Sequence, residues 1–171
     1  MKDIILAQRA RNGDKGALDK LVRKHYPQIY NYIYRYTGNK ELAEDLTQET
    51  FLKLTRAIGR YVPAAKFATF LYRIAQNTII DHYRCKKIEL EETTEKWEER
   101  GFGQVEDKIL IERILKRIPI EQRECLILYY YQQLKYKEIA MILQVPVSTV
   151  KTRVRRGLEH CKKIMEQEDI L

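Results

Sequence analysis

Between positions 148 and 156 the chain reads STVKTRVRR, and its polar residues fall at helical spacing. On a helix, Ser148, Thr149, Thr152, Arg155 and Arg156 project from one side, with Lys151 and Arg153 at its flanks. That set suits base and phosphate recognition. An arginine grips guanine O6 and N7 with two hydrogen bonds, and short hydroxyls reach bases or phosphates. The opposite side carries Val147, Val150, Val154, Leu158, Cys161 and Met165 in steps of three and four, a narrow stripe expected to face a core. Upstream, Tyr136–Ala140 opens a short helix. Ala140 is small where a second helix must cross, Leu143-Gln144-Val145 makes a turn, and Pro146 suits the first turn of the next helix, where a missing N–H costs nothing. Together these pieces predict a helix-turn-helix, with a plain helical hairpin of basic outer surface as the competing account.

Two further segments carry chemistry of their own. From Phe67 to about Lys86 a helix is expected to bury Phe70, Leu71, Ile74, Ala75, Thr78, Ile79 and His82. It would then expose Thr69, Tyr72, Arg73, Gln76, Ile80, Tyr83 and Arg84, with Lys66 and Asn77 at the margin. Cations interleaved with aromatics and amides fit single-stranded nucleic acid, whose phosphates need charge and whose bases need a π surface worth roughly 1–3 kcal/mol each. An ordinary basic surface helix with amphipathic tyrosines has the same pattern. Between about Lys40 and Ile58 another helix turns Leu42, Ala43, Leu46, Phe51, Leu54, Ala57 and Ile58 inward. Its other half gathers Asp45, Gln48, Glu49 and Arg56 around Leu52. An acidic surface built on an exposed leucine would repel DNA and suits a protein partner with a basic helical surface. A solvated helix face with one stray apolar residue would read alike.

Catalytic chemistry finds no support. There is no HExxH, no convergent carboxylate cluster and no nucleophile–base set, so a nuclease is disfavoured. Asp45 and Glu49 lack a third ligand for a metal, and Gly13-Asp14-Lys15-Gly16 is too short to cradle phosphates. No cofactor or metal is expected. Cys85, Cys125 and Cys161 stand far apart, as free thiols in a reducing compartment do. No apolar run approaches the ~20 residues of a membrane span, and Met1-Lys2-Asp3 does not begin a signal peptide. The expectation is a soluble, cytoplasmic protein that does not insert in a membrane.

The elements that must position these residues are helical throughout, and the fold class expected is all-α. The chain has 171 residues, a net charge of +8 and 44% hydrophobic residues. Its charge is laid out in blocks. Residues 1–87 carry 17 basic and 8 acidic side chains, 88–107 carry 2 and 8, and 108–171 carry 13 and 8. Two small helical domains, 1–87 and 108–171, are therefore expected to be joined by a flexible acidic linker, 88–107, with the helix-turn-helix in the second. In the first, an apolar pattern running through Leu18, Leu21, Ile29 and Ile33 breaks at Thr37-Gly38-Asn39, and Gly59–Ala65 forms a loop. Basic blocks favour a polyanionic partner, because lysine and arginine release counterions from phosphates.

Three stretches in this order, AEDLTQETFLKLTRAI (43–58), KFATFLYRIAQNTIIDHYR (66–84) and IPIEQRECLILYYYQQLKYKEIAMILQVPVSTVKTRVRRGL (118–158), resemble those of extracytoplasmic-function sigma factors. These are the minimal two-domain class of bacterial RNA polymerase initiation subunit. The resemblance implies that Asp45, Gln48, Glu49, Phe51 and Leu52 dock on the clamp helices of core RNA polymerase. It implies that the loop holding Arg60 and Tyr61, with Lys66, Thr69, Tyr72, Arg73, Gln76 and Asn77, opens the minus-10 element of promoter DNA. Ser148, Thr149, Lys151, Thr152, Arg153, Arg155 and Arg156 would read the minus-35 element, and apolar residues around Ile127–Tyr131 would grip the polymerase flap. An anti-sigma factor is the implied inhibitor, covering the polymerase-binding faces. A 20-residue linker, spanning roughly 25 Å as a coil and at most about 66 Å extended, reaches both compact and extended states. Gln144 and Ser148 stand where many members have glycine, so Gln144 is expected to need a strained positive φ or a slightly different turn; Phe70 replaces the usual tryptophan. The competing function is a stand-alone helix-turn-helix regulator, which would dimerise, bind duplex unaided and leave the first block without a task.

Overall fold

The computed structural model describes residues 2–63, 66–90 and 106–167. They divide into two compact units, one built on Met1–Cys85 and the other on most of the chain from Lys86 onward. Among the described residues there is no strand. Of the expected linker, 91–105 lie outside the described residues, while helices occupy both its ends.

The first unit holds α1 (Lys2–Arg11), α2 (Lys15–Thr37), α3 (Lys40–Ala57), a 3-10 turn (Ile58–Arg60) and α4 (Phe67–Leu90). Asp14 starts α2 by accepting the Ala17 N–H at 2.9 Å, and the Arg9 guanidinium grips the same carboxylate at 2.6 Å. Gly13 and Asp14, too short a segment to cradle phosphates, are thus a turn and an N-cap. Helix α2 runs through Pro27, which costs it a backbone donor; Leu21, Ile29, Tyr32 and Ile33, buried on either side, keep it helical. It stops at Gly38, whose φ of 66° a side chain would disfavour and whose N–H closes on the Tyr34 carbonyl at 2.8 Å. Asn39 then caps α3 through the Leu42 N–H.

Helix α3 buries Ala43, Leu46, Thr47, Thr50, Phe51 and Leu54 against α2. The Thr47 and Thr50 hydroxyls enter this core because they donate to the Ala43 and Leu46 carbonyls one turn back. Helix α1, which the sequence reading did not single out, packs on α2 and on the 3-10 turn. Its Asp3 carboxylate takes Lys24 Nζ at 2.5 Å and faces His25 Nε2 at 3.2 Å, and Arg11 Nη1 donates to the Tyr61 carbonyl at 3.3 Å.

The second unit begins with α5 (Glu106–Arg117), which ends before Pro119, and α6 (Ile120–Leu126). Helix α6 widens into a π turn, Ile127–Tyr131, released at Gln133 with φ 52°. Next come α7 (Tyr136–Leu143) and α8 (Val147–Gln167). Glu138 reaches back to the Lys135 N–H at 2.8 Å, half of a capping box at the start of α7. The turn after α7 has the expected form: Gln144 sits at φ 55°, and the Val145 N–H reaches the Ala140 carbonyl as in a Schellman ending.

Helix α8 packs on α5 and α6. Its buried stripe is Val150, Val154, Gly157 and Ile164, with Cys161 half-buried. Leu158, expected in that stripe, is 43% exposed. The stripe passes instead through Gly157, where α6 crosses so closely that a Cβ would lie 3.0 Å from Leu126 Cδ1. A glycine marks the contact because even a methyl group would press on Leu126, and hydrophobic periodicity cannot register it.

Candidate nucleic-acid interface

On α8, Ser148, Lys151, Thr152, Arg155 and Arg156 are exposed, as their spacing predicts, and Thr149 is half-buried. All stand in the first half of the helix; Ser148 and Thr149 lie in its first turn, where the macrodipole adds positive potential. Arg155 is steadied by Glu159 at 2.8 Å, one turn on. With Glu121 and Gln122 from α6, the residues Ser148, Thr149, Thr152, Arg153 and Arg156 line a concavity of about 410 Å³. Arg153 differs from its neighbours: it is half-buried and lies beside the Cys125 thiol. It ties the helix to α6 rather than projecting fully outward. Burial first, then the Glu124 charge, pushes the Cys125 thiol up to about 11, and Arg153 only partly opposes this. The thiol stays protonated and unreactive at neutral pH.

On the first unit the expected strand-facing set divides. Arg60, Lys66, Arg73 and Asn77 are exposed, together with Ile80 and Arg84. Thr69, Tyr72 and Gln76 are buried, a correction to the expected outer face. For Tyr72 and Gln76 the cause is α2, whose aromatic residues pack on α4. The Tyr32 ring meets Tyr72 edge-on at 5.4 Å, the Tyr32 hydroxyl donates to Gln76 Oε1, and Tyr36 lies 6.2 Å from Tyr83. Burial drives the Tyr72 hydroxyl well above the usual phenol range. Tyr61 is corrected in the same way. Its ring is 1% exposed, packed between Phe67 at 5.7 Å and Phe70 at 5.3 Å, where an aromatic cluster replaces the expected loop contact. Ala64 and Ala65, in the same loop, lie outside the described residues.

The acidic face of α3 forms as expected around Leu52, which is 59% exposed, with Asp45, Gln48 and Glu49 beside it. Phe51 is not on that surface. It is buried and stacked on Tyr26 at 5.6 Å, so it supports the patch from below, as its place in the inward stripe also predicts. Of the apolar run 127–131, Ile127 and Leu128 are fully buried, Tyr129 is half-buried and stacked on Tyr136 at 4.7 Å, and Tyr130 and Tyr131 are exposed. The π turn explains this, since one extra residue per turn rotates the tyrosines outward. Sequence reading missed Lys53, which joins Glu49 at 3.0 Å and Asp81 of α4 at 2.9 Å. The Glu49–Lys53 spacing of four was the available signal.

Among the described residues no helix is long and apolar enough to cross a membrane, and no group of three or more metal-ligating side chains converges.

Known proteins resemble this chain in both parts. Residues 21–88 match the family Sigma-70 region 2, and residues 108–161 match Sigma-70, region 4. The chain is 31% identical to RNA polymerase sigma-H factor of Pseudomonas aeruginosa, over 96% of this chain and 94% of that protein. It is 33% identical to ECF RNA polymerase sigma factor SigW of Bacillus subtilis, over 91% and 92%. Among solved structures, CnrH in complex with the cytosolic domain of CnrY aligns with a TM-score of 0.77 over 98% of this chain and 99% of that chain, at 22% identity. The sigma factor RpoE in complex with the anti-sigma factor NepR from Bartonella quintana aligns at 0.75 over 86% and 96%, at 19% identity. At such identities the likeness to these two structures is one of fold.

Proposed function

The chain belongs to the extracytoplasmic-function (ECF) RNA polymerase sigma factors, and on that premise we propose how its surfaces divide the work of starting transcription. The protein is a promoter-specificity subunit of bacterial RNA polymerase. In our reading, Asp45, Gln48, Glu49 and Leu52 dock on the clamp helices of the core enzyme, with Phe51 as their buried support. Arg60, Lys66, Arg73 and Asn77 hold the opened minus-10 strand; Tyr61, Thr69, Tyr72 and Gln76 shape the helix and loop that present them. Ser148, Thr149, Lys151, Thr152, Arg155 and Arg156 enter the minus-35 major groove, and Arg153 fixes the tilt of their helix. Tyr130 and Tyr131 are the apolar surface offered to the flap. The domains are 1–87, 108–171 and the acidic linker 88–107, and the site of action is the cytoplasm, where polymerase and promoters are.

One observation carries this division: a strongly basic chain sets aside one helix face for exposed acids around an exposed leucine. A protein that only bound duplex DNA would have no use for it. Catalysis is the polymerase's; this chain supplies positioning and base readout. The fold neighbour RpoE of Bartonella quintana, solved in complex with the anti-sigma factor NepR, also supports an anti-sigma factor as a partner that covers these faces.

The test is transcription in vitro with purified core polymerase on a genomic promoter library. Start sites that need the wild-type chain, disappear with Asp45→Ala and shift in minus-35 preference with Arg155→Ala are the expected result. An absence of chain-dependent starts would overturn the reading.

A further inference from the structure

Helix α4 carries a carboxylate in an awkward place. Of its residues 67–85, Asp81 alone is acidic, and it lies one turn beyond Asn77 on the exposed side that also holds Arg73 and Arg84. A bare charge there would repel the phosphates of any strand held along the helix. Lys53 meets it from α3. Its Nζ stands 2.9 Å from Asp81 Oδ2 and 3.0 Å from Glu49 Oε1, and its side chain is only 32% exposed. Burial works against the ammonium, but the hydrogen bonds to Asp81 and Glu49 outweigh it and hold the group above the ordinary lysine value. The cation is therefore permanent at neutral pH, and its stem is fixed by the two helices it joins.

We propose that Lys53 is a positioning residue that masks Asp81, so that α4 offers a cationic surface to the opened DNA strand although α3 beside it remains acidic for docking. The inference rests on the promoter-opening role given above to α4. It adds a residue that neither the docking nor the reading face contains, and it makes the two faces share one cation. A bridge needed only for architecture would be equally damaged by loss of either partner. A mask is needed only while Asp81 is charged.

That difference is measurable in holoenzyme reconstituted with the full chain, by following promoter opening with a fluorescent base in the minus-10 element. Lys53→Met is expected to slow opening about fivefold near 0.1 M salt, with the defect shrinking as salt rises and screens the exposed carboxylate. Asp81→Asn should open at or above the wild-type rate. The double variant Lys53→Met with Asp81→Asn should return to within roughly twofold of wild type, since the two changes share one interaction. Asp81→Asn as slow as Lys53→Met, a double variant no faster than Lys53→Met, or a Lys53→Met rate equal to wild type would each overturn the mask. Should Lys53→Met lose its fold by circular dichroism, Lys53→Gln, alone and with Asp81→Asn, replaces it in the same comparison. If the wild-type chain opens no promoter at all, the opening role itself fails, which is a separate result.

Discussion

Leu52 and Arg155 face solvent from different helices, and each is worth more to a partner than to the fold. Leu52 leaves 59% of its surface uncovered, so truncating it should barely change stability. If the acidic face docks on the polymerase, Leu52→Ala should weaken core binding by about 1–2 kcal/mol, the worth of burying most of one leucine. A fluorescence titration with core enzyme checks this; unchanged affinity would remove Leu52 from the interface. The same residue shows what was legible at this scale. Exposure of Leu52, Asp45, Gln48 and Glu49 followed from a 100° wheel, because a helix packed on one side obeys it. Tyr72 and Gln76 did not follow it. Their polar tips look destined for solvent, but Tyr32 of α2 supplies a ring and a hydroxyl that make burial favourable. Only knowledge of which helix lies opposite reveals that exchange.

Helices α6 and α8 fix how the reading residues are aimed. Their crossing is set at Gly157, where the nearest atoms to an added Cβ would be Leu126 Cδ1 at 3.0 Å, Leu126 Cγ at 3.2 Å and Gln122 Cβ at 3.4 Å. Leu126 is buried and has little room to yield. In an open helix, Gly→Ala gains about 1 kcal/mol of propensity. Here overpacking of about 1–3 kcal/mol should exceed that gain. Gly157→Ala is thus expected to lower stability by about 1 kcal/mol in urea denaturation of the full chain; a variant more stable than wild type would show that the crossing is loose. The helix-turn-helix itself was legible, because Ala140, Pro146 and the valine spacing agree, and Gln144 adopts the positive φ its position demands. Helix α1 was not. Its buried contacts are the small Ala7 and Ala10, which carry little hydrophobic signal, and polar clasps from Asp3 and Arg11 that become visible only in three dimensions.

Over the whole molecule, charge arrangement separates the sigma reading from its rival. A net charge of +8 alone predicts salt-dependent attraction to any DNA. Two basic blocks around an acidic strip, with an acidic patch set inside the first block, predict something narrower: recognition that is completed only when a protein partner takes the acidic face. That layout was plain in the sequence, since it needs only counting. The share of each unit in strand opening was less so, because half of the expected minus-10 residues, Tyr61, Thr69, Tyr72 and Gln76, turn out to be buried.

Binding of promoter duplex at physiological salt, measured with the chain alone, core polymerase alone and the two together, tests this most directly. The account predicts weak, sequence-indifferent binding by each alone and a tight, promoter-specific complex only when they are combined. Tight and specific duplex binding by the chain alone, unchanged by core enzyme, would contradict it and favour a stand-alone helix-turn-helix regulator.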